Sequence, residues 1–267
     1  MNDSHNSGVK IGLEIAGTGG RPVLTLIHGF AGSQRTWELM RPLLEPHFQL
    51  ILLDLPGHGG VVPQPGVDLM CLAESIATFL TQAVRGPRCL CGYSMGGRIA
   101  LHVALRFPES VSRLALISTS PGIKDDNERE QRRNSDRELA QNIRHHGLEW
   151  FETYWSSLPL FATQKELTVD RQLWLKRERL ANDPEGIALA LEQWGTGEQE
   201  WLLPWLVEVK CPTLLISGAR DGKYCALAEL MNEMIPSSQF LAIPEAGHAP
   251  HIEQPSALAQ ELISFFS

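Results

Sequence analysis

The sequence predicts an α/β fold: a mostly parallel central sheet covered by helices on both faces, with a helical lid inserted into it. Short continuous apolar runs, such as Val23-Leu24-Thr25-Leu26-Ile27 and Leu114-Ala115-Leu116-Ile117, alternate with helix-length segments. Strands buried on both faces of a parallel sheet read this way. The rhythm stops near Thr119 and resumes after Pro212, with no buried-strand run between. A chain of 267 residues can form one large α/β domain, or one domain with an inserted cap.

In chain order, Val9 to Ile15 reads as an edge strand and Gly17 to Gly20 as a turn. Val23 to Ile27 is a buried strand ending at His28-Gly29-Phe30. Trp37 to Leu44 has helical spacing, and Phe48 to Leu53 is a second buried strand running into Asp54-Leu55-Pro56-Gly57-His58-Gly59. A helix fits Leu69 to Val84, followed by the strand Arg88 to Cys91, a helix ending before Pro108, and the strand Leu114 to Ile117. The next stretch is very polar from Asp125 to Arg144, then carries Trp150, Phe151, Tyr154 and Trp155 at helical spacing. Helices explain both. After Pro212 come a strand (Thr213 to Ser217), a helix (Ala226 to Met234), a strand (Ser238 to Ile243) and a closing helix (Pro255 to Phe266). The expected division is a core of residues 1–119 and 211–267, with residues 120–210 as the lid.

Hydrophobic content of 43% and charged content of 20% are those of a globular protein. A net charge of −8 argues against nucleic acid and against anionic membrane surfaces. No apolar run is long enough to span a bilayer, and the polar start Met1 to Ser7 lacks a signal-peptide core. The expectation is a cytoplasmic protein, a monomer or weak homo-oligomer. The cysteines, Cys71, Cys89, Cys91, Cys211 and Cys225, are odd in number and follow no metal spacing, so free thiols are expected. No cofactor and no metal is expected.

The chemistry begins at Gly92-Tyr93-Ser94-Met95-Gly96-Gly97-Arg98, between a strand pattern and a helix pattern. This is G-x-S-x-G in the context of a nucleophile elbow. A serine in so sharp a turn has strained backbone angles, and flanking glycines let neighbouring backbone pass. The hydroxyl is then exposed ahead of a helix N-terminus, which favours negative charge. Serine is a weak nucleophile or base until a histidine held by a third group activates it. In this arrangement the order is serine, acid, histidine. His248 lies in a loop after the last strand, and Asp221 follows the strand before it. Both are where α/β sites assemble, beyond strand C-terminal ends. The competitor His251 is read as a surface residue opening the final helix. Two backbone N–H donors should form an oxyanion hole, one from Met95 and one from Phe30.

Arg98 stands one helical turn after Ser94, where a simple esterase would have an apolar residue. It is either a surface ion-pair residue or a fork for a substrate carboxylate. Lys223 follows the acid, and Arg132 and Arg133 come from the lid. Converging cations on an acidic protein would imply an anionic substrate.

On these residues the chain resembles the α/β-hydrolase superfamily over nearly its whole length. More narrowly it is similar to the 2-succinyl-6-hydroxy-2,4-cyclohexadiene-1-carboxylate synthase family of menaquinone and phylloquinone biosynthesis. His28-Gly29-Phe30, Asp54 to Gly59, Gly92 to Ala100 and Ala246-Gly247-His248 carry the broad resemblance. Gln131-Arg132-Arg133, Trp155 through Phe161, Gly218 to Lys223 and Arg98 carry the narrow one. Gly60 departs from the superfamily pattern, standing where a serine often closes the Asp54 to Gly59 segment.

The resemblance implies a lyase, not a hydrolase, that eliminates pyruvate from a small-molecule tricarboxylate. Ser94, His248 and Asp221 would act as a general base. Tyr93, Arg98, Arg132, Trp155 and Lys223 would bind substrate. Arg132 and Arg133 remain alternatives, since adjacent helical positions point different ways. Tyr154 and Trp155 are likewise open in register. The competing reading is a carboxylesterase or C–C bond hydrolase with the same triad. A ligand-binding protein without catalysis would be expected to lack Ser94, Asp221 or His248.

Overall fold

The computed structural model describes residues 8–267. The polar heptad Met1 to Ser7 lies outside them. Seven strands are described: β1 (Gly12–Ala16), β2 (Val23–Ile27), β3 (Gln49–Asp54), β4 (Arg88–Tyr93), β5 (Arg113–Ile117), β6 (Thr213–Gly218) and β7 (Ser238–Ile243). Their order is β1-β3-β2-β4-β5-β6-β7, with β1 antiparallel to β3 and every other pair parallel. The α-helices are α1 (Arg41–Leu44), α2 (Leu69–Ala83), α3 (Met95–Arg106), α4 (Asp126–Ser157), α5 (Val169–Leu180), α6 (Pro184–Trp194), α7 (Gly222–Met234), α8 (Pro250–Glu253) and α9 (Pro255–Phe266).

Alternation along each strand divides the core between the two faces of the sheet. Leu53, Leu90 and Leu215 pack with α2, α3 and α7. Leu52, Cys89, Cys91, Leu214 and Ile216 pack on the other face with Trp37, Phe48 and α9. The two cysteines therefore share a face and behave as small apolar residues.

Between β5 and β6 the chain is helical. Asp125 caps α4 by accepting from Asn127 and Glu128 N–H, and Asp183 caps α6 ahead of Pro184. Gly147, at φ 78°, bends α4, a conformation that costs glycine least. Arg144 ties the two helices, donating to Glu185 and Glu192 at 2.6–2.9 Å. Beneath them, Ala140, Ile143, Phe151, Ile187 and Leu191 form a separate apolar cluster that reaches Ala31 and Phe30 of the core. No helix among the described residues is long and apolar enough to cross a membrane.

Some boundaries differ from the sequence reading. The helical spacing of Trp37 to Leu44 resolves into a 3-10 turn, Gln34–Trp37, and the single turn α1. The turn is closed by a reciprocal Ser33–Thr36 cap, and Pro42 supplies no N–H to continue a longer helix. Helix α7 starts four residues earlier than Ala226, because Asp221 caps it through Tyr224 N–H.

Candidate active site

All four non-glycine residues with positive φ among the described residues lie just beyond strands at one edge of the sheet. They are Ala31 after β2, Ser94 after β4, Ser118 after β5 and Glu245 after β7. Backbone strain of this kind costs about 1–3 kcal/mol per residue and gathers where geometry serves function.

At the centre, Ser94 has φ 51° and ψ −109° and precedes α3. A serine at a helix start ordinarily caps it. Here the side chain makes no cap bond, so the hydroxyl is left for other work. The turn closes this tightly because the residues around it lack side chains. A Cβ on Gly92 would lie 2.3 Å from Gly96 O, and one on Gly96 would lie 2.3 Å from His28 O. The turn is pinned by Ser94 N–H donating to Ile117 O at 2.8 Å.

The structure brings the sequence-predicted trio together. His248 Nε2 lies 3.2 Å from Ser94 Oγ, and Nδ1 lies 2.7 Å from Asp221 Oδ2. His248 and Asp221 are buried. Their two loops are bound to each other: Arg220 N–H donates to Ala246 O at 2.9 Å, and a Cβ on Gly218 would meet Gly247 O at 2.0 Å. The distances suit a hydroxyl, an imidazole and an orienting carboxylate. Phe30 and Met95 both line the adjoining cavity. Neither backbone N–H makes a hydrogen bond within the described chain.

The cavity holds about 320 Å³ and is walled by Ser94, Tyr93, Phe30 and His248 on the sheet side. Arg132, Asp136, Tyr154, Trp155, Phe161 and Trp194 wall it from the inserted segment. Arg98 is 6% exposed and reaches it from α3. Its guanidinium donates to Trp194 O at 2.6 Å, Gln199 Oε1 at 3.2 Å and Gly195 O at 3.4 Å. All three acceptors are neutral, so this is not the surface ion pair that was one alternative. Burial pushes its pKa down to about 10, which leaves it charged at neutral pH.

Arg132 lines the same cavity, with Nε donating to both oxygens of Asp136 at 2.9 Å. Arg133 faces Glu130 and Glu198 instead and does not line it. Tyr154 and Trp155 both line the wall, but Trp155 packs against Phe30 at 5.0 Å between ring centroids, whereas Tyr154 stacks on Trp150.

Two expectations need correction. Lys223 is exposed and does not line the cavity; its ammonium lies 5.8 Å from the Tyr224 ring centroid. The helical turn set by Asp221 brings the next residue inward instead. Tyr224 lines the cavity with its ring centroid 4.4 Å from His248, and burial raises its phenol pKa. The cap bond from Tyr224 N–H to Asp221 sets this helix phase. His251 is no surface residue either. It is fully buried between Tyr93 (4.2 Å) and Trp37 (5.2 Å). Its helix, α8, starts at Pro250 and is wholly buried, with Ala249 and Ile252 in the same core cluster as Trp37 and Tyr93.

Asp54 and His58 stand apart from the reacting groups. Asp54 accepts from Gln34 N–H at 2.6 Å, and a Cβ on Gly59 would strike its carboxyl group. His58 is buried over Trp194.

Comparison with known proteins agrees with this fold. The family described as alpha/beta hydrolase fold matches residues 22–255. A Bacillus subtilis (strain 168) relative, provisionally named a 2-succinyl-6-hydroxy-2,4-cyclohexadiene-1-carboxylate synthase, is 36% identical over 100% of this chain and 98% of its own length. An Enterobacter sp. (strain 638) synthase of that name is 30% identical, with 91% of each chain covered. The solved structure of MenH from S. aureus superposes with a TM-score of 0.91 at 33% identity, covering 95% of this chain and 97% of that one. The chain belongs to the α/β-hydrolase family and, within it, to the 2-succinyl-6-hydroxy-2,4-cyclohexadiene-1-carboxylate synthases.

Proposed function

We propose that the protein is a carbon–oxygen lyase of menaquinone or phylloquinone biosynthesis. It converts 2-succinyl-5-enolpyruvyl-6-hydroxy-3-cyclohexene-1-carboxylate to 2-succinyl-6-hydroxy-2,4-cyclohexadiene-1-carboxylate and pyruvate. The observation that carries this reading is Arg98: a buried cation one turn from the serine, facing the cavity and hydrogen-bonded only to neutral acceptors. The carboxylate of Asp136 attracts it but is bonded to Arg132 instead, and a buried charge so thinly compensated costs stability. An anionic ligand would complete it, and a neutral ester would not.

In this mechanism His248 draws the proton from Ser94, and the serine oxygen takes the proton from the ring carbon bearing the succinyl group. Negative charge develops on the succinyl carbonyl oxygen, toward the N–H groups of Phe30 and Met95. The electron pair forms a ring double bond, the existing double bond shifts, and the C–O bond to the enolpyruvyl group breaks. Enolpyruvate leaves and becomes pyruvate. Asp221 orients His248 and stabilises its imidazolium. No acyl-enzyme forms, and no cofactor or metal takes part.

Arg98 and Arg132 take carboxylates, with Tyr93 and Trp155 lining the ring's surroundings and residues 120–210 serving as the lid. Lys223, exposed and outside the wall, contributes long-range attraction only. The reading is of a cytoplasmic monomer or weak homo-oligomer.

The test is pyruvate release from the enolpyruvyl substrate, followed for the wild type and Ser94→Ala. Release that falls about 10⁴-fold or more in the variant supports the triad as base. Absence of release, in protein that hydrolyses a short nitrophenyl ester, would replace this reading with the esterase one.

A further inference from the structure

His248 lies in a loop, yet its ring must meet Ser94 and Asp221 at fixed distances. The neighbouring carboxylate of Glu253, at the end of α8, is 8% exposed and forms no ion pair among the described residues. Its Oε2 accepts from Gly247 N–H at 2.6 Å, and its Oε1 accepts from Ala249 N–H at 3.1 Å. These are the amides immediately before and after His248. The grip is reciprocal, because Glu253 N–H donates to Ala249 O at 2.9 Å. The helix bearing Glu253 is itself anchored by His251, buried between Tyr93 and Trp37.

We propose that Glu253 is the positioning residue for His248, a two-pronged carboxylate clamp that holds both flanking amides and so sets the direction of the imidazole. The reasoning is one of satisfiability. Two buried donors need two acceptors, and a carboxylate offers two oxygens on one rigid plane. Glutamine has one oxygen and would turn an NH₂ toward the other amide. Aspartate is one methylene short. Either change lets the loop rotate at its catalytic residue, and a displacement of about 1 Å at a reacting group costs on the order of 100-fold in rate.

The proposal rests on the triad part of the proposed function, so its test avoids the proposed substrate. The probe is a fluorophosphonate that phosphonylates Ser94, whose labelling rate reads the serine–histidine pair directly. Glu253→Gln, measured on protein whose circular dichroism is native, should label about tenfold more slowly or worse. Where pyruvate release is also measurable, kcat should fall by a similar factor with KM within twofold, since Glu253 does not itself line the cavity. Labelling of folded Glu253→Gln within twofold of wild type would overturn the clamp. Should Glu253→Gln not fold, the same criterion applied to Glu253→Asp decides it. Normal labelling in the wild type without pyruvate release would sink the proposed substrate and leave the clamp standing.

Discussion

The nucleophile corner and the inserted helices wall the same cavity by different means. At the corner, geometry is imposed by the backbone. Ser94 at positive φ, the bare glycines 92, 96 and 97, and the contacts between the Asp221 and His248 loops leave no alternative arrangement. On the opposite wall, geometry comes from side chains on helices. Arg132 is oriented by Asp136, Trp155 by Phe30 and Phe161, and the whole segment by Arg144 between Glu185 and Glu192. Chemistry placed on a rigid sheet edge, with recognition shared between Arg98 on α3 and side chains of the inserted helices, is a division of labour that lets one triad serve many substrates.

The comparison can be broken from either side. The largest stability effect should come from the corner. Gly96→Ala puts a methyl group 2.3 Å from His28 O and 2.5 Å from Ile27 O, both backbone atoms that cannot step aside. We expect a loss of about 3 kcal/mol in denaturant unfolding, with activity falling too. An unchanged unfolding midpoint would mean the elbow is looser than described.

On the recognition side, Arg98→Met should lower kcat/KM for the tricarboxylate by about 100-fold, the range for removing a buried charge partner. Hydrolysis of a neutral nitrophenyl ester should change far less. Equal losses on both substrates would make Arg98 a purely structural residue that holds Trp194, Gly195 and Gln199. A finer contrast separates neighbouring cations. Arg132→Ala should cost about tenfold in kcat/KM, the scale of one partly exposed charge-assisted hydrogen bond. Arg133→Ala and Lys223→Ala, both outside the wall, should each stay within about twofold.

The smallest effect concerns pH. Burial lowers the pKa of His28 and His102 from 6.5 to about 4, and of His58 and His251 to about 3. Below pH 6.5 the unfolded chain therefore binds more protons than the folded one, so stability falls as pH drops from 6.5 toward 4. His102, with neither ring nitrogen hydrogen-bonded, is the cleanest probe. His102→Leu should flatten the slope of unfolding free energy against pH by up to about 1 kcal/mol per unit. An unaltered slope would show that the imidazole titrates normally in the folded protein.

The sheet was legible because doubly buried strands leave continuous apolar runs, and the triad because each member sits at the end of such a run. Arg98 was legible as an oddity: a cation where an apolar residue would pack. What stayed hidden depends on helix phase and chain reversal. Without a fixed first residue for α7, Lys223 and Tyr224 could not be told apart as the inward residue. The cap bond from Tyr224 N–H to Asp221 sets that phase. Arg132 and Arg133 posed the same question on α4, where the pairing of Asp136 with Arg132 four residues earlier was a readable clue. His251 read as exposed because a histidine after the catalytic loop gives no sign that its helix turns back beneath Tyr93. Glu253 was invisible for the same reason, since its partners are backbone amides.

The central claim is that Ser94 removes a proton and never becomes acylated. The most direct test is a single turnover with substrate deuterated at the ring carbon that bears the succinyl group, following pyruvate release. The account predicts that deuterium slows release while the mass of the protein stays that of the free enzyme throughout. Equal rates for the two isotopes, with a covalent adduct on Ser94, would contradict it.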